Sequence, residues 1–288
     1  MTPFSFGNTG LTDQTATNGG ANTSFLYQGS DFATSDASIT QTADGAESAN
    51  SATHYQNDLT FGGKHLTTVV QNAQTAGTNQ AFTDQQGVFG VATITQTATN
   101  EGSNVAEVLQ LDQYTGNTVQ ATITQTADGA GGGNDASVIQ GDLYGGQDGA
   151  TFAFATVIQT STNSGVNQAT TYQEGDLPGI NEVVVEQNAD SYDGFNDMYI
   201  VQDDFTDFAY AETLQNATDA GFNVSEVYQG GDFEETYIDQ TADGMGSANT
   251  IYVQQAGNGI AIGFAPIADI TQDAMASGKK RQQVFSIG

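Results

Sequence analysis

Two stretches one after the other, Ala92-Thr93-Ile94-Thr95-Gln96-Thr97-Ala98 and Asn104-Val105-Ala106-Glu107-Val108-Leu109-Gln110, decide how this chain folds. In each, an apolar or small residue alternates with a polar one, the period-two signature of a β-strand. Each is anchored by amides, Gln96 in the first and Asn104 and Gln110 in the second. Both blocks recur along the whole chain.

The first block, A-x-[IV]-x-Q-[TN]-A, places its glutamine at Gln14, Gln41, Gln71, Gln96, Gln125, Gln159, Gln187, Gln215, Gln240 and Gln272, spaced 25 to 34 residues apart. The second, N-x-A-x-[VIT]-x-Q, places its asparagine at Asn22, Asn50, Asn79, Asn104, Asn134, Asn167, Asn196, Asn223 and Asn249. Six residues after each asparagine stands a glutamine: Gln28, Gln56, Gln85, Gln110, Gln140, Gln173, Gln202, Gln229 and Gln255. Nine matches at one spacing, each coupled to the first block, identify a repeat protein.

The columns of the repeat carry the physics. Two residues before the first glutamine, every repeat has Ile, Val or Thr; two after it, Ala stands in nine of ten repeats, with Ser161 the exception. From first Gln to Asn the gap is eight residues in five repeats and nine in four, and the nine-residue cases carry Asp44, Asp128, Asp190 and Asp243. Three of these continue with Gly, which suits a tight turn. A rung of two short strands buries too little to stand alone, so stability has to come from stacking. Stacking at about 4.8 Å aligns each column with itself. A buried glutamine can then satisfy its amide by bonding the same residue one rung above and below. The expected fold is all-β: a β-solenoid of about ten strand-turn-strand rungs, with two facing parallel in-register sheets in the cross-β manner. Residues 1–10 are expected as a short N-terminal segment, 11–272 as the solenoid (nine full repeats and a partial tenth) and 273–288 as a basic C-terminal tail.

The half-repeat N-x-A-x-x-x-Q, together with the β-branched residue, Thr and Gln of the first block, resembles the curlin repeat of bacterial curli. The resemblance covers roughly Leu11 to Gln255. It implies a secreted functional-amyloid subunit, fibres that serve biofilm matrix and adhesion, a nucleating minor subunit and a dedicated secretion channel. This chain departs from the pattern in its longer turns and linkers and in a shorter segment before the first repeat. Lys279-Lys280-Arg281 in a divergent final repeat is similar to the basic minor subunit of curli. The residues alone also allow a charged tail that blunts a sheet edge.

Composition excludes several functions. With 34 acidic residues against four basic, formal net charge −30, the chain has little with which to replace phosphate counterions, so nucleic acid is not an expected partner. Membrane insertion is not expected either, because no apolar run reaches the ~18 residues of a spanning helix. The opening Met1-Thr2-Pro3-Phe4-Ser5-Phe6 lacks the regions of a secretory signal, so an extracellular location would require a mature or trimmed chain. Zero cysteine excludes disulfides. The histidines, His54 and His65, have no spaced partner and the carboxylates are expected in loops, with no apolar pocket around them, so the chain is not expected to be an enzyme and no catalytic, cofactor or metal residue is assigned. Loosely bound Ca²⁺ on the acidic loops is the one cofactor left open. Six linkers carry Asp followed by Phe or Leu (Asp31-Phe32, Asp58-Leu59, Asp142-Leu143, Asp176-Leu177, Asp204-Phe205 and Asp232-Phe233), read as turn and packing anchor.

The functional expectation is therefore a self-associating subunit that polymerises head to tail, with salt or Ca²⁺ speeding assembly by screening. A monomeric β-solenoid adhesin is the rival. The outward aromatics Phe25, Tyr27, Tyr55, Phe82, Tyr172, Tyr199, Tyr228 and Tyr252 fit ligand binding, lateral contacts or cross-strand pairs equally well. An ice-binding surface would need ranks of Thr-x-Thr, and in the two outward columns before the first glutamine only Thr93/Thr95 and Thr122/Thr124 supply them, with Ser38/Thr40 close.

Overall fold

A computed structural model describes the chain except residues 1–6, 31–33, 59–63, 113–117, 130, 143–149, 164, 191–193, 203–207, 220, 232, 258–266, 275–278 and 288. The first-block strands are β1 (Asn8–Asn18), β3 (Ser35–Gly45), β5 (Lys64–Ala73), β7 (Phe89–Asn100), β9 (Thr118–Gly129), β11 (Ala150–Thr162), β13 (Gly175–Asp190), β15 (Phe208–Thr218), β17 (Phe233–Ala242) and β19 (Ile267–Ala274). The second-block strands are β2 (Ser24–Ser30), β4 (Ala52–Asp58), β6 (Ala81–Gln86), β8 (Asn104–Asp112), β10 (Asn134–Asp142), β12 (Val166–Gln173), β14 (Phe195–Gln202), β16 (Phe222–Gly231), β18 (Ala248–Gly257) and β20 (Lys279–Ile287). No helix occurs among the described residues, and so none is long and apolar enough to cross a membrane.

Odd strands form one ten-stranded parallel sheet in chain order and even strands form the other, giving the expected β-solenoid. Pairing is in register: Gln41 lies opposite Gln71, Gln71 opposite Gln96 and Gln96 opposite Gln125. Nine steps of ~4.8 Å make the stack roughly 43 Å long.

Alternation is strict. In β9, Val119, Ala121, Ile123, Gln125 and Ala127 are buried while the residues between them face outward. The inner faces meet in one apolar cluster that runs from Ile39 through Ile94 and Ile123 to Ile238 on one sheet and from Ala52 through Val108 and Ile200 to Val253 on the other. Burying each isoleucine or valine of this cluster stabilises the fold by about 1.5–3 kcal/mol. The turns differ as their lengths require. Gly129 and Gly244, in nine-residue turns, take positive φ of 145° and 119°, whereas eight-residue turns use residues such as Asn18, Asn163 and Asp219 at φ of 50° to 58°. Asp128 and Asp190 also serve the following rung, accepting bonds from the Thr162 and Thr218 hydroxyls at 2.5 and 2.6 Å.

Both ends depart from the expected layout. β1 begins at Asn8, inside the segment expected to precede the repeats. More consequentially, residues 279–287, expected within a basic tail, form β20, which pairs in parallel with β18 and completes a tenth rung. The signature is missing there because Lys280 stands in the Asn column opposite Asn249 and Ser286 in the Gln column opposite Gln255. Backbone pairing needs neither amide, so the strand persists where the motif does not.

Candidate functional site: the amide ladders and the ends of the stack

The first-block glutamines form one continuous ladder. Gln41 Nε2 donates to Gln14 Oε1 at 2.8 Å, and the same bond repeats through Gln71, Gln96, Gln125, Gln159, Gln187, Gln215 and Gln240 at 2.6–2.9 Å, closing with Gln272 at 3.2 Å. The second N–H of each amide crosses the interior to the backbone carbonyl one residue after the asparagine of the same rung. Gln96 thus reaches Val105 O at 2.8 Å and Gln125 reaches Asp135 O at 2.8 Å. This ladder ties the two sheets together within each rung.

The second-block glutamines form a parallel ladder, Gln56 donating to Gln28 and so on through Gln85, Gln110, Gln140, Gln173, Gln202, Gln229 and Gln255 at 2.7–3.0 Å. Its spare N–H reaches forward to the odd strand of the next rung, as from Gln110 to Gln120 O at 3.0 Å and from Gln202 to Tyr210 O at 3.0 Å. One ladder staples within rungs and the other between them. An unpaired buried amide would cost about 1–3 kcal/mol, so complete pairing is what makes a glutamine-lined core tenable.

Both glutamine ladders donate toward the N-terminal rung. The asparagine ladder does not keep one sense. Asn50, Asn79 and Asn104 donate back toward Asn22 at 2.6–2.7 Å. Asn134, Asn167, Asn196 and Asn223 instead donate forward, ending on Asn249, at 2.6–2.9 Å. The forward sense is held by carbonyls of the next rung, including Thr160 O, Asn216 O, Thr241 O and Asp273 O. Where the senses part, the Oδ1 atoms of Asn104 and Asn134 are buried without a hydrogen-bond partner.

The ends are chemically distinct. Inward residues of β1 and β19, fully buried in inner rungs, are only half-buried here. Gln14 donates to Thr23 O, and among the described residues no earlier rung takes its second N–H. Among the described residues no later glutamine stands in register over Gln272. In the asparagine column the stack closes on Lys280, whose ammonium donates to Gln272 O and lies 3.4 Å from Asp273 Oδ1.

His54 and His65 are both fully buried inside the stack. His54 approaches Gln28 Oε1 at 3.4 Å and the Thr67 hydroxyl at 3.0 Å. Burial, with the nearby His65 adding to it, lowers its pKa from 6.5 to about 4, so at neutral pH it is an uncharged core residue. Among the described residues no group of three or more His, Asp or Glu is placed to hold a metal ion. The side chains of the six linker aspartates lie outside the described residues.

The outward aromatics pair across rungs. Phe25, Tyr55 and Phe82 follow one another at 5.8 and 5.6 Å, and Tyr199, Tyr228 and Tyr252 at 5.5 and 5.3 Å, all with tilted rings. The register explains the tilt: Tyr199 lies opposite Glu226 rather than Tyr228, so the rings meet on the diagonal. Sequence reading missed a second set on the odd sheet, Tyr210–Tyr237 at 5.6 Å and the stacked pair Phe208–Phe233 at 4.8 Å. The phenylalanines carried a signal, since each lies seven residues before its repeat's first glutamine; the tyrosines did not, since Tyr210 stands five before Gln215 and Tyr237 three before Gln240 and they meet on the diagonal. Comparison with protein-family models, curated proteins and solved structures finds no match for this chain.

Proposed function

We propose that this chain is a structural subunit of an extracellular, curli-like amyloid fibre that polymerises head to tail and serves biofilm matrix and surface adhesion. The observation that carries the proposal is the complementarity of the two ends. The N-terminal rung offers a glutamine N–H at Gln14, and the C-terminal rung offers a glutamine oxygen at Gln272 in the same column. Joining two copies there repeats the bond made nine times inside the stack. It also covers half-buried inward residues at both ends. Acidic repulsion between copies of net charge −30 opposes this, so salt or Ca²⁺ accelerates assembly.

Electron microscopy of the purified chain over time, with and without salt, tests the reading. Unbranched fibres with a ~4.8 Å axial repeat, forming faster in salt, are expected. A chain that stays monomeric at every ionic strength overturns it and favours a soluble adhesin. One observation favours a second reading, a terminal or nucleating subunit. Lys280 and Ser286 break two of the three amide columns at the C-terminal end, so a following copy finds only the Gln272 ladder in register. On that reading Lys280→Asn speeds elongation; on the first it leaves the rate unchanged.

A further inference from the structure

The outer face of the odd sheet is not uniform. Over β3, β5, β7, β9 and β11 the three outward columns flanking the first glutamine stack in register with no irregularity. The centre is Thr93, Thr95 and Thr97 over Thr122, Thr124 and Thr126. Of the fifteen positions, twelve are Thr or Ser, and Val70, Asn72 and Ile158 are the rest. In a chain with 34 carboxylates, none of the fifteen is charged. Charges reach its rim, at Asp36, Asp44 and Asp128 along the strands and at Asp13 and Glu186 on the rungs to either side, opposite Thr40 and Ile158. Among the described residues, no hydrogen bond within the chain uses a hydroxyl of the array.

These properties belong together. The sheet fixes β-branched side chains at ~4.8 Å from rung to rung and ~6.8 Å between alternate residues along a strand. Both repeats lie close to the oxygen repeats of the ice lattice. Each threonine adds a methyl group that orders the water around it and a hydroxyl able to donate and accept. A solute in liquid water gains little from such regularity, whereas a crystalline water surface matches it at many points at once. We propose that this array binds ice: a charge-free lattice of hydroxyls and methyls on one flank of the solenoid takes crystalline water as its ligand. The array lies on the flank and not at the ends, so the proposal holds for monomer and fibre alike and does not depend on assembly.

The test is partition of the freshly purified full chain into a slowly growing ice front, with inhibition of ice recrystallisation as the second readout. The natural chain is expected to enter the ice, and the double variant Thr95→Lys/Thr124→Lys to lose at least ten-fold in both readouts at an unchanged melting midpoint. Thr170→Lys, on the outer face of the other sheet, should behave as the natural chain. Should the lysine variant fail to fold, Thr95→Gln/Thr124→Gln supplies neutral bulk at the same two positions and is expected to show the same loss. Exclusion of the natural chain from ice overturns the proposal, as does equal partition of the array variant and the Thr170 variant. Retention on microcrystalline polysaccharide without entry into ice would assign the face to a different crystalline ligand and overturn it equally.

Discussion

The odd sheet has two halves with one interior and two exteriors. From β3 to β11 the outer face is the threonine array. From β13 to β19 the same columns read Val184, Glu186 and Asn188, then Glu212, Leu214 and Asn216, then Tyr237, Asp239 and Thr241, and Asp269, Thr271 and Asp273. The polar groups of this second half bond to one another. Asn188 donates to Glu186 at 3.0 Å, Asn216 donates to Asn188 at 3.0 Å and the Tyr210 hydroxyl donates to Glu212 at 2.8 Å. Burial, then that bond and nearby carboxylate charge, pushes the Tyr210 phenol up to about 12. A shallow acidic depression lined by Glu212, Tyr237, Asp239 and Asp269 lies on this half. Stacking dictates the inward columns alike in both halves. It leaves the outward columns free, and there the halves part: one satisfies its polar groups internally and the other presents them.

If the interiors are equivalent, equivalent changes cost the same. Gln125→Ala in the first half and Gln215→Ala in the second each strand the oxygen or N–H of the rungs above and below and open a cavity. Each is expected to destabilise by about 4 kcal/mol in urea denaturation. Values differing by more than ~2 kcal/mol would break the equivalence.

The second contrast is that the only histidines are in the first half. The folded pKa of His54, about 4, lies below its unfolded value of 6.5, so protonation favours the unfolded chain. Its contribution is whole above pH 6.5 and is lost as pH falls toward 4. The loss amounts to roughly 3 kcal/mol at one pH unit per 1.36 kcal/mol. Comparing His54→Val with the natural chain at pH 7 and pH 4 isolates this from the titration of the carboxylates. A variant that loses as much stability on acidification as the natural chain would remove His54 from the account.

Smaller effects sharpen the exteriors. Tyr210→Phe removes one half-exposed phenol bond and should cost about 0.5–1 kcal/mol in the melting experiment. Smallest of all, Thr124→Lys should change stability by no more than ~0.5 kcal/mol, since its hydroxyl makes no bond within the chain and its neighbours are uncharged. A larger loss would mean that the array is part of the scaffold rather than a surface carried by it.

Much of this was legible from residues alone. Columns such as Ile94–Ile123–Val157 and the fixed Asn-to-Gln interval encode register directly, because an in-register stack sets like over like. The amide ladders followed from the same columns. Their direction did not, since it depends on which carbonyl each amide's second N–H can reach. β20 escaped because Lys280 and Ser286 replace the two residues by which its block is recognised. The threonine array escaped for a different reason. Read along one strand it yields only pairs, and Thr68, Thr97 and Thr126 join it only when rungs are laid over one another. The buried column Ser35, His65, Gly90, Val119, Ala153, Asn181, Ala209 and Glu234 also lacks a sequence pattern. At the strand starts, packing accepts whatever the neighbouring rungs leave room for.

The staple that Gln110 makes to Gln120 O has a consequence for the length of the chain. Every period ends by gripping the backbone of the one after it at a fixed place, so periods are interchangeable links with no partner beyond the adjoining pair. Excising residues 97–125 as a block would join Gln96 to Thr126, leave Gln85 on the Val91 carbonyl it now holds, and set Gln140 over Gln85 in place of the deleted Gln110. A gene encoding such a molecule can gain or lose whole links by recombination and still specify a continuous rod, so the physics of the fold does not itself fix how many links there are.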